Sequence, residues 1–147
     1  MIKLIDSHYD KEDGGIACVR IATECGYFEG YAFLHPEDEQ YESEFLGLEV
    51  AEMRATIEYY EKKMHFLNTR LLALYDIAKD IRSNPQYDSE HFEYQIIQKR
   101  IRQNEEQKEI YKEYIKDIKE AIKTKLEAHT IFINKINKKI KEKQDNE

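Results

Sequence analysis

Apolar residues recur along the middle of the chain at Leu46, Val50, Met53, Ile57, Tyr60, Met64, Leu67, Leu71, Leu74, Ala78 and Ile81, in alternating steps of four and three. This is the heptad period of a helix with one apolar seam. The run Ser83-Asn84-Pro85 stops it, which predicts a rod of about 36 residues and roughly 54 Å. A second helix is expected from the segment starting at Asp88, with Asp88 or Ser89 as N-cap. Its seam passes through Tyr94, Ile97, Ile101, the polar pair Asn104 and Lys108, then Tyr111, Ile115, Ile118 and Ile122. It resumes at Leu126, His129, Ile133, Ile136 and Ile140 after a four-residue step, a stutter that locally unwinds a supercoil. Asn104 and Lys108 either fix register from a core position or face water beside a tilted helix. A connection this short predicts an antiparallel helical hairpin. The second helix then outlasts the first by about 20 residues, roughly 30 Å. Ile133, Ile136 and Ile140 on that overhang need a surface, either the chain's own sheet or a second copy.

The first 45 residues carry a different period. "MIKLID" reads as a short strand, "SHYDKEDGG" as a polar connection, and "GIACVRIAT" and "YFEGYAFLH" as a hairpin about a glycine-containing turn. With Cys25-Gly26 as the loop, Val19 lies opposite Ala32 and Ile21 opposite Gly30. One face then shows Ala17, Val19, Ile21, Phe28, Gly30, Ala32 and Leu34, flattened at Gly30 and Ala32 where a helix can come close to the backbone. The other carries Arg20, Glu24, Glu29 and Tyr31 beside Ile16 and Phe33, only partly dressed for water. Three short strands are not stable alone, so helices must cover one face. The expected fold is therefore α+β: a small three-stranded antiparallel sheet in residues 1–45, then a coiled-coil hairpin in residues 46–147 with a basic C-terminal tail.

Charge sharpens this picture. Residues 1–62 hold five Lys/Arg against fifteen Asp/Glu, and residues 116–143 hold nine Lys against four acids. Such polarity favours self-association or two distinct partner surfaces, and a homodimer is expected. Leu67, Leu71, Leu74, Ile133, Ile136 and Ile140 are its candidate oligomerisation residues. Two cysteines within the hairpin, no basic leader followed by an apolar run, and no apolar stretch of membrane-spanning length point to a cytoplasmic protein with reduced thiols and no membrane partner.

The residues that suggest chemistry have a simpler structural account. In His35-Pro36-Glu37-Asp38, the histidine and acids would suit acid/base work or an oxygen-rich metal corner. Proline after a strand and acids at the start of a helix serve a strand-to-helix corner equally well. A zinc site needs Cys18, Cys25, His8 and His35 to converge, yet the cysteines are seven residues apart on one extended strand, about 23 Å. His65, His91 and His129 are scattered on helices. No glycine-rich phosphate loop, GxSxG elbow or HExxH occurs. No enzyme activity, metal or cofactor is expected.

A Gly-x-Ala strand running into His-Pro-Glu-Asp and an Ala-x-x-Arg-Ala helix is formed here by Gly30, Ala32, His35, Pro36, Glu37, Asp38, Ala51, Arg54 and Ala55. Over residues 16–60 this resembles the N-terminal module of short, uncharacterised proteins of phages and integrated mobile elements. The resemblance implies a context rather than a catalytic residue. Small acidic proteins of this origin commonly bind and block host machinery, antiviral nuclease complexes included, in the manner of an anti-CRISPR protein. The expected function is non-enzymatic binding and inhibition of a host protein, through Tyr27, Glu29, Tyr31, Glu37, Asp38 and Glu39. The alternatives are a nucleotide- or nucleic-acid-binding module using Arg20, Arg54 and the tail lysines, and a structural coiled-coil spacer.

Overall fold

In the computed structural model, which describes residues 1–11, 15–33, 43–84, 86 and 92–146, the chain runs β1 (Lys3–Asp10), β2 (Ile16–Thr23), β3 (Gly26–Phe33), α1 (Glu44–Arg82) and α2 (Phe92–Asp145). The strands form one antiparallel sheet in the order β1-β2-β3. The α+β architecture is the expected one, with the helices a few residues longer at their starts or ends than periodicity marks. Two compact units emerge, one of residues 1–59 and 117–147, the other of residues 60–116. This grouping differs from a division at residue 45, because both long helices contribute to each unit.

In the first unit, β1 is longer than its apolar letters suggest and takes in Ser7, His8 and Tyr9. Pairing decides this: Ser7, His8 and Tyr9 lie opposite Val19, Cys18 and Ala17, and a bulge between Leu4 and Asp6 adjusts the register. The β2–β3 hairpin also departs from expectation. Thr23 pairs with Gly26, so the turn is Glu24-Cys25 and the register is shifted by two residues, with Ala17 opposite Ala32, Val19 opposite Gly30 and Ile21 opposite Phe28. The Thr23 hydroxyl accepts from Cys25 N–H at 3.0 Å and donates to the Gly26 carbonyl at 2.9 Å. Gly26 takes φ 110°, a conformation L side chains avoid. A slip of two leaves every side chain on its predicted face.

That preserved face is the core. Ala17, Val19, Ile21 and Ala32 are buried with Val50, Ala51, Ala55, Ile57 and Tyr59 of α1. A Cβ built on Gly30 would stand 1.8 Å from the Ala51 carbonyl oxygen and 2.6 Å from the Ala55 nitrogen, so α1 lies directly on the bare backbone of β3. Ser43 caps α1, its hydroxyl accepting from Leu46 N–H at 3.1 Å. The buried Tyr59 packs edge-on to Phe28, centroids 6.0 Å apart, and donates its hydroxyl to Glu24. Ile122 and Ile133 of α2 are buried as well.

In the second unit the helices run antiparallel: the Tyr60 ring packs at a tilt against Tyr111 and Tyr114, Tyr75 donates to Glu105, and Arg82 donates to the Tyr94 hydroxyl at 3.0 Å. Leu71, Leu74, Ala78 and Ile101 form its core, with Tyr94 and Ile97 packed against them. Lys108 lines an open groove of about 740 Å³ with Asn68, Leu72, Tyr75 and Glu105. The seam is thus open to water at this polar position.

Candidate functional site

With one sheet face under α1, the register places a ladder of exposed and half-buried side chains on the other. Along β3 these are Tyr27, Glu29, Tyr31 and Phe33; opposite them on β2 stand Ala22, Arg20, Cys18 and Ile16; Asp6, His8 and Asp10 of β1 continue the rows. Tyr27 is 73 % exposed, Phe33 70 % and Tyr31 43 %, an aromatic strip along an edge strand.

The charges within the strip are compensated. Arg20 donates to one Glu29 oxygen through Nε at 2.9 Å and through Nη2. The Tyr31 hydroxyl donates to the other at 2.6 Å. These bonds hold the Glu29 carboxyl below its ordinary range, the Tyr31 hydrogen bond first and Arg20 next. They also favour the charged Arg20 guanidinium. The Tyr31 phenol is pushed up to about 12, chiefly because its proton is held by Glu29, with Cys18 adding a further hydrogen bond. On the free side of β3, Arg54 Nη1 donates to the Tyr31 carbonyl at 2.8 Å.

Of the residues expected to bind a partner, Tyr27, Glu29 and Tyr31 are brought together on this face. Glu29 there is a neutralised linker between Arg20 and Tyr31, so the face is more aromatic than acidic. Glu37, Asp38 and Glu39, with His35 and Pro36, lie outside the described residues, as do Asp88 and Ser89. Phe33 belongs to the strip and is absent from the expected set; its signal was the strict alternation from Tyr27, which puts it beside Tyr31. Among the expected oligomerisation residues, Leu67, Leu71, Leu74 and Ile133 are buried within the chain, Ile136 is half-buried and Ile140 is 44 % exposed. Cys18 and Cys25 are free, half-buried thiols. Among the described residues no three His, Cys, Asp or Glu side chains converge as a metal site, and no helix is long and apolar enough to cross a membrane.

No protein-family model, curated protein or solved structure matches the chain.

Proposed function

We propose that this protein is a non-enzymatic binding protein whose outer sheet face docks on a partner protein. The carrying observation is the row Tyr27, Tyr31 and Phe33, exposed on one sheet face with the neutralised Glu29 of the Arg20–Glu29 pair between Tyr27 and Tyr31. Aromatic side chains supply large, stiff contact area and dominate interface energetics. An ion pair already closed within the chain adds no unpaired charge when a partner covers it. The resemblance of the Gly30–Ala55 segment to mobile-element proteins supports a host target in the cytoplasm, of the antiviral nuclease class, inhibited by occupation of its surface.

The test is affinity capture of the tagged chain from nuclease-treated bacterial lysate, in parallel with a Tyr27→Ala/Phe33→Ala variant. A stoichiometric protein retained by the wild type is expected to be lost from the variant. With the partner purified, affinity should fall on the order of 30-fold per anchor, the weight of about 2 kcal/mol for a hot-spot side chain. Equal retention by the variant overturns this face as the docking site. A spacer, by contrast, would leave every sheet-surface substitution silent.

A further inference from the structure

The last turns of α2 form a second charged surface, separate from the aromatic face. Lys125 Nζ lies 2.7 Å from Glu49 of α1, and Leu126 borders a small cavity with Ser43, Leu46 and Tyr9. There α2 has drawn level with the first turns of α1, yet it continues to Asp145, about 30 Å further. This overhang holds Lys135, Lys138, Lys139, Lys141 and Lys143, all exposed. Lys112, Lys123 and Lys125 each pair with a glutamate; none of the five has an ion-pair partner among the described residues. At 100° per residue the five lysines are spread around the helix, except for the sector of Ile133, Ile136 and Ile140. Ile133 is only 5 % exposed. That sector is covered at Ile133, half-covered at Ile136 and open at Ile140; Lys143 borders it, and the other four lysines lie outside it.

We propose that residues 135–143 bind the phosphate backbone of nucleic acid without reading its sequence. Five ammonium groups within nine residues complement a regular polyanion, and lysine is a point charge that contacts phosphate without base recognition. A second overhang would bring like charges together. Three described acids of the sheet unit already have partners, Glu24 in Tyr59, Glu29 in Arg20 and Tyr31, Glu49 in Lys125. A lipid surface requires a free apolar stripe, and the exposed apolar residues here, Ile131, Phe132 and Ile140, are scattered roughly 80° to 180° apart around the helix at 100° per residue. Arg20 and Arg54, expected to share such a role, are engaged by Glu29 and the Tyr31 carbonyl. The lysines therefore act without them.

The experiment is fluorescence polarisation of a short random-sequence duplex with the full chain, titrated between about 50 and 200 mM salt. Five phosphate contacts predict a several-hundred-fold loss of affinity across that range. Lys138→Glu/Lys139→Glu/Lys141→Glu is expected to reduce low-salt affinity at least tenfold and to flatten the salt slope. Circular dichroism should not change, because these side chains are exposed. Absence of duplex binding at low salt, or a variant that binds like the wild type, overturns the proposal. So does a wild type that sediments with anionic vesicles, or forms a salt-sensitive dimer, while ignoring the duplex.

Discussion

Glu29 links three residues, and the consequences fall on Tyr31. Because the folded chain keeps the Tyr31 proton on a hydrogen bond to a carboxylate, its phenol is raised from an ordinary value near 10 to about 12. The stabilisation this lends the fold is complete below pH 10 and is lost as pH rises through about 12. Tyrosine-ring carbon NMR across that range should find one phenol titrating near 12, and Glu29→Gln should return it toward 10. A Tyr31 that titrates near 10 in both proteins would mean that the Arg20–Glu29–Tyr31 link does not persist in solution. Gly30 makes an opposite kind of demand, for the absence of a side chain. The space for its Cβ is filled by helix backbone, which cannot rotate away. Gly30→Ala should therefore cost at least about 1–3 kcal/mol of stability in denaturant unfolding.

At the scale of elements, α1 serves two neighbours with two faces. Its heptad positions Leu67, Leu71, Leu74 and Ala78 are buried in the helical hairpin, while the small stripe Ala51, Ala55 and Tyr59 is buried in the sheet unit. The first stripe was legible because a long, unbroken period stands out. The second contains two alanines and a tyrosine, types that also occur on exposed helix surface, and only the bare backbone at Gly30 marks them as a contact. Adjacent side chains on the hairpin can test the seam. Leu71→Ala, at 4 % exposure, should cost about 2–5 kcal/mol in urea unfolding. Leu72→Ala, at 67 % exposure, should change stability by no more than about 0.5 kcal/mol. Equal effects would mean that the helices pair through a different face.

For the molecule as a whole, the charge gradient along the chain is real, but most of its meaning lies in which charges remain unpaired. Acids at Glu24, Glu29 and Glu49 are answered by Tyr59, Arg20 with Tyr31, and Lys125, residues 2 to 76 positions away. The lysines past residue 134 have no such answer among the described residues. An aromatic face on the sheet and a basic overhang on α2 are thus two surfaces of different chemistry.

The sequence by itself determined the number and kind of elements, the faces of the strands, the seams of the helices and the length of the overhang. All of these follow from periods of two and three and a half residues, which are local properties of the backbone and survive a two-residue slip of register. Tertiary structure alone decided the hairpin register, the extension of β1 through Asp10, the second stripe of α1 and the neutralisation of Glu29. Each depends on which groups distant along the chain are brought within hydrogen-bond or van der Waals reach, and no local pattern of residues encodes that distance.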